Sequence, residues 1–141
     1  MFNEAGASFS PDGRCLAFVS DESGRNEIYV QPFAGLGPKR KVSVGGGVEP
    51  VWSKAGNRLF YRQQESMLTV DVSPHPPLAF SAPRTLFEGS FSRSSVYVAN
   101  YDVVDDGLWF LMIQEDSEDA PPNDFRVILD WSVKLKRDID T

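Results

Sequence analysis

At 141 residues, 41% of them hydrophobic, the chain can bury one core, and ten prolines with eleven glycines favour a turn-rich β class over a helical bundle. A formal charge of −6 repels a phosphate backbone, which sets nucleic acid aside as a partner, and no apolar run approaches the ~18 residues of a membrane span. The lone cysteine, Cys15, permits no internal disulfide and leaves the compartment open: cytoplasm for the sequence as it stands, periplasm if it belongs to a longer exported chain.

In chain order, the first strong pattern is Phe9-Ser10-Pro11-Asp12-Gly13-Arg14-Cys15-Leu16-Ala17-Phe18. Pro11 presets φ, Asp12 can bond its own backbone two residues on, and Gly13 accepts a positive φ, so a tight turn joins strands at 7–10 and 15–20. A third strand is expected at 27–31 and an outer one at 39–44, after the Gly35-Leu36-Gly37-Pro38 turn. The loop at 21–26 alternates oxygen side chains but lacks the spacing of a twelve-residue calcium site, and it reads as a polar hairpin loop. Lys39-Arg40-Lys41 reads as a solvated strand edge. Gly45-Gly46-Gly47 has no helix or Lys-Ser/Thr pair behind it, so it reads as a crossover rather than a phosphate cradle.

A second unit follows, with strands expected at 49–53, 58–62, 66–72 and about 83–87, turning at Ser53-Lys54-Ala55-Gly56. The only histidine, His75, sits in the polyproline-like run Ser73-Pro74-His75-Pro76-Pro77, with no G-x-S-x-G elbow and no set of metal ligands around it. The third unit is expected at 98–104, 108–114 and 125–131, with Asp105-Asp106-Gly107 in the place of Pro11-Asp12-Gly13 as turn residues. Its acidic loop at 115–124 carries five carboxylates, which reads as a solvated connection and leaves open a calcium ion or a basic partner.

The corner glycines at 13, 56 and 107 stand 43 and 51 residues apart, the spacing of a four-stranded unit in a repeat array. The Phe9-to-Asp21 pattern, with Asn26-Glu27-Ile28-Tyr29-Val30 after it, resembles the WD40-like, TolB-type β-propeller repeat, F/W-S-P-D-G-x-x-I/L-A/F-F/Y followed by x-I-Y-V. The likeness is degenerate at 50–61 and recognisable again at 101–112. The ending Val127 to Arg137 resembles the V-x-x-N-W-x-x-E-L-K-R close of such chains, with Asp130 in place of Asn, and implies a natural C-terminus.

The resemblance implies an all-β chain of about three four-stranded antiparallel blades, at about 7–44, 48–88 and 97–131, the last incomplete, with a tail at 132–141. Together they form one partial propeller domain, half of a six-bladed ring. Such repeats recur as interaction domains beside bacterial kinases, in TolB-like envelope proteins and as the gating domain of prolyl-oligopeptidase-type enzymes. The expectation is therefore a non-catalytic binding or scaffolding module, completed by homodimerisation or by a longer chain, with a protein or peptide as a further ligand class. The alternative is an ester or lactone hydrolase with a metal in the axial channel. No residue is assigned a catalytic, cofactor-binding or metal-binding role, and no cofactor is expected. Blades bury both faces, so half a ring would leave two faces bare, each forgoing about 12 kcal/mol if ~500 Å² of apolar surface stays wet.

Overall fold

The Ser10 hydroxyl shapes the first corner. It accepts the Cys15 N–H at 2.9 Å, the Ser10 N–H donates to the Cys15 carbonyl at 2.8 Å, and the Gly13 N–H closes the turn on the Ser10 carbonyl at 2.8 Å. Ser53 repeats all three bonds with Arg58 and Gly56, at 3.1, 2.9 and 2.9 Å. Val104 has no hydroxyl in the corresponding place, and the third corner turns differently: Asp105, Asp106 and Gly107 all adopt left-handed φ, at 50°, 54° and 96°.

The computed structural model describes residues 1–33, 37–73, 77–92 and 98–114. The strand expected at 125–131, the tail at 132–141, the acidic loop at 115–124 and His75 lie outside the described residues. The strands are β1 (Glu4–Phe9), β2 (Cys15–Ser20), β3 (Glu27–Pro32), β4 (Arg40–Lys41), β5 (Val48–Trp52), β6 (Arg58–Gln63), β7 (Ser66–Ser73), β8 (Ala79–Phe80), β9 (Arg84–Glu88), β10 (Tyr101–Val104) and β11 (Trp109–Met112). The fold is all-β, and every pairing is antiparallel. The sheets run β1-β2-β3-β4, then β5-β6-β7 with β8 and β9 both on β7, then β10-β11. They are successive meanders stacked face to face, the architecture of propeller blades.

Two outer strands depart from expectation for local reasons. β4 covers only two of the six residues at 39–44, because the Ser43 hydroxyl takes the Ile28 N–H at 2.7 Å and so replaces a ladder carbonyl with a side chain. The outer edge of the second blade is split into β8 and β9 around Ser81-Ala82-Pro83. Pro83 has no N–H to give, while Ser81 bridges the gap by exchanging bonds with Asp71.

Two cores fill the spaces between sheets. Between the first and second blades lie Ala17, Val19, Ile28, Leu59, Tyr61 and Val70; between the second and third lie Phe60, Met67, Phe87, Tyr101, Phe110 and Met112. β6 feeds both, which is why Leu59-Phe60-Tyr61 is an unbroken apolar run. In the apolar run at 108–113 Phe110 and Met112 are buried and Trp109 is half-buried, while Leu108, Leu111 and Ile113 are exposed, since among the described residues no sheet lies beyond β11.

Gly47 lies where the crossover passes closest to both blades. A Cβ there would meet Ile28 Cγ1 at 2.8 Å and Ser43 Cβ and Tyr61 Cδ2 at 3.1 Å. Gly47→Ala is expected to lower stability by about 1–3 kcal/mol through overpacking. Gly13→Ala, with open space around its Cβ but a left-handed φ of 71°, loses only about 1 kcal/mol. Urea denaturation of the two variants checks the order.

Candidate functional site

The buried charges are Glu27 on β3, Glu49 on β5 and Arg62 on β6. β1 and β5 each contain a bulge, and Gly6 (φ 60°) and Glu49 (φ 57°) hold the same place in it, 43 residues apart. A glutamate in the left-handed region is strained by roughly 1–3 kcal/mol, so its surroundings must hold it there. They do: Glu49 Oε2 lies 3.8 Å from Arg62 Nη1 and accepts the Asn100 N–H at 3.2 Å. Its backbone carbonyl accepts the Tyr101 hydroxyl at 2.8 Å. Arg62 also donates to the Ser92 and Phe91 carbonyls, at 2.7 and 3.1 Å. Glu49 and Arg62 are both fully buried, and burial first, then the Glu49 charge, pushes the Tyr101 phenol well above its ordinary range.

Glu27 forms a second buried centre. It accepts the Ser43 hydroxyl and, at 3.0 Å, the Gly46 N–H, while Lys41 Nζ and Arg25 Nε stand 3.9 and 4.0 Å from its other oxygen. The fully buried Tyr61 hydroxyl has no hydrogen-bond partner among the described residues, and desolvation, followed by the Glu27 charge, pushes its pKa up to about 12. Both glutamates accept hydrogen bonds from fixed donors that tie backbone segments together. That chemistry locks a crossover and a bulge in place.

Of the residues singled out in the sequence, Cys15 is buried, its thiol pKa raised by desolvation. The glycine run is a crossover, with Gly46 tied to Glu27 and Gly47 to the Asn26 carbonyl. Lys39 bonds Glu22, lies 3.7 Å from Glu4, and stands 5.9 and 5.4 Å from the Phe18 and Tyr29 ring centroids. Arg40 donates to the Leu78 carbonyl at 2.7 Å. Asp106 is a turn residue and also a clasp, since its carboxylate accepts the Ala55 N–H at 2.8 Å and its carbonyl takes Arg58 Nη1 at 3.2 Å. Among the described residues no three His, Cys, Asp or Glu side chains converge to hold a metal ion, and no helix is long and apolar enough to cross a membrane.

The sequence reading missed Glu49, Arg62 and Tyr101. Two signals pointed there: Glu49 falls 43 residues after Gly6 in the repeat frame, and Arg62 directly follows the apolar run of β6.

No family model matches the sequence. Solved structures that it is similar to include a proposed 6-phosphogluconolactonase of Bacteroides uniformis (TM-score 0.48, 17% identity, 75% of this chain and 31% of that one). TolB of Acinetobacter baumannii is another (TM-score 0.40, 13% identity, 82% of this chain and 39% of that one). The chain thus spans between 31% and 39% of the length of these two structures.

Glu49→Gln keeps the side chain's size but removes the carboxylate 3.8 Å from Arg62 Nη1, and is expected to lower stability by about 3 kcal/mol in urea titration, against less than about 0.5 kcal/mol for the exposed Lys54→Gln. Asp12 gives a pH test. Its carboxylate accepts the Ser10 hydroxyl at 2.6 Å and the Arg14 N–H at 3.0 Å, and these bonds, in that order, hold its pKa below the ordinary 3.8. A depressed folded value means the stabilisation is complete above 3.8 and is lost as pH falls through the folded pKa. The gap in melting temperature between wild type and Asp12→Asn should be constant from pH 6 to 5 and shrink toward pH 3.

Proposed function

We propose that the chain is a binding and scaffolding module of β-propeller type, of the WD40-like, TolB-type repeat class and without catalysis of its own, whose two end blades present open faces to a partner. The observation that carries this is a difference in exposure at matched places in the repeat. Trp52 is 8% exposed and donates its indole N–H to the Ser8 carbonyl of the preceding blade, whereas Phe9, at the same place in the first blade, is 53% exposed. Phe60 is 1% exposed where Leu111 is 45%. At these two places a side chain that the interior of the stack covers is bare at an end, while Phe18, in the place of Tyr61, is buried with Lys39 over its ring; exposed apolar clusters of this kind mark contact surfaces. The shared corner geometry of Ser10 and Ser53 supports the repeat class, because it assigns one physical task to the serine of the F/W-S-P-D-G pattern.

What covers those faces is either another copy or further blades of a longer chain. The two-fold test is light scattering of the purified chain at micromolar concentration together with an ester and lactone panel run with and without calcium. The reading predicts self-association or binding of an apolar dye, and no turnover. A monomer that binds no dye contradicts the open faces, and calcium-dependent turnover favours the hydrolase.

A further inference from the structure

Two of the three corners carry an aspartate directly before the glycine, Asp12-Gly13 and Asp106-Gly107. Such a pair is reactive because no side chain on the glycine hinders attack of its amide nitrogen on the aspartyl Cγ. The nitrogen bonds to Cγ, the carboxyl hydroxyl leaves as water with the amide proton, and a five-membered succinimide results. Water then opens the ring at either carbonyl. Breaking the new bond restores aspartate; breaking the original peptide bond leaves the main chain running through Cβ and Cγ, as isoaspartate. The carboxyl group must be free to swing onto the amide, so whatever holds it governs the rate.

At the first corner the hold is local. Asp12 accepts the Ser10 hydroxyl at 2.6 Å and the Arg14 N–H at 3.0 Å, both from within two residues, and these bonds last as long as the turn does. They also favour the ionised carboxylate, which cyclises poorly. At the third corner Val104 stands where Ser10 does, and the Asp106 carboxylate reaches instead to the Ala55 N–H at 2.8 Å, on the second blade and 51 positions away. The Asp106 carbonyl takes Arg58 from the same blade. Its restraint therefore lasts only while the two blades stay docked, and local opening of a junction is easier than global unfolding. Asp105 and Asp106 are both in the left-handed region, at φ 50° and 54°, so opening also relieves backbone strain. The glycine cannot be exchanged to escape the chemistry, since its φ is 96° and a Cβ there would lie 2.6 Å from Phe60 Cζ.

We infer that Asp106-Gly107 is a site of spontaneous isomerisation, guarded by docking of the third blade on the second, and that conversion to isoaspartate releases that junction. The product cannot rebuild the clasp. The carboxylate that accepted the Ala55 N–H becomes a peptide carbonyl, in a main chain longer by one carbon. Asp12-Gly13, with the same two residues, stays aspartate.

The test is peptide mapping of the full chain aged at neutral pH, which reads isoaspartate at 12 and 106 separately, with the urea-unfolded chain as the reference for each pair. Folding should slow position 12 at least about tenfold more than position 106, because local opening exposes only the second. Arg58→Gln removes one clasp bond and should raise the rate at 106 while leaving 12 unchanged; Ser10→Ala should do the reverse. The wild-type comparison decides by itself should either variant lose its far-ultraviolet circular dichroism. Amide exchange should show β10 and β11 losing protection in proportion to the isoaspartate at 106. Equal slowing at the two positions, or an unmoved rate at 106 in folded Arg58→Gln, overturns the guarded site. Isoaspartate at 106 with unchanged exchange in β10 and β11 overturns the release.

Discussion

β6 is buried on both faces, and the rest of the molecule follows from that. Leu59, Phe60, Tyr61 and Arg62 are each at most 2% exposed, which a strand in a single half-solvated sheet cannot achieve. It needs a sheet on either side, one supplied by β1 to β4 and the other begun by β10 and β11. The same requirement is met on one face only at β11, whereas β2 is buried at every position but the half-buried Leu16. Lys39 helps to cover the outward side of β2, its Nζ standing over the Phe18 and Tyr29 rings and tethered by Glu22 and Glu4. β11 has no such cover among the described residues.

Apolar packing does not by itself fix how far each blade turns about its neighbour; polar ties between inner strands do. The Trp52 indole donates to the Ser8 carbonyl at 3.0 Å, and the Tyr101 hydroxyl to the Glu49 carbonyl at 2.8 Å. In both cases an aromatic donor on one inner strand reaches a carbonyl at or beside the bulge of the strand before it. The two junctions differ in that the second adds the Glu49–Arg62 pair. A buried pair contributes little net stability but is costly to break, so its role here is to hold β5 in its left-handed bulge against Asn100 and Tyr101.

The corners were the most legible part of the sequence. Pro11-Asp12-Gly13 and its degenerate copy at Gly56 mark hairpins because Ser, Asp and Gly chemistry is local and needs no tertiary partner. Strand alternation then places β2, β3, β6 and β7 within a residue or so. The outer strands were less legible, since the Ser43 and Ser81 side chains replace ladder bonds there, a substitution that strand propensity does not register. The buried charges were read least well. Glu49 and Arg62 look like surface residues in composition, and it is the bulge of β5, where Arg62 pairs with Val48 and Glu49 is the next residue, that brings them together in a core. Asp106 was read as a turn residue, which it is, but its bond to Ala55 spans 51 positions and no local pattern carries it.

The central claim is that burial on both faces, rather than strand propensity, holds this fold. Amide hydrogen exchange measured strand by strand at two protein concentrations tests it most directly. The account predicts that β6 and β7 are the most protected at any concentration, and that β11 gains protection only when the chain associates. Equal protection of β6 and β11 in dilute solution, where no partner is bound, would contradict it.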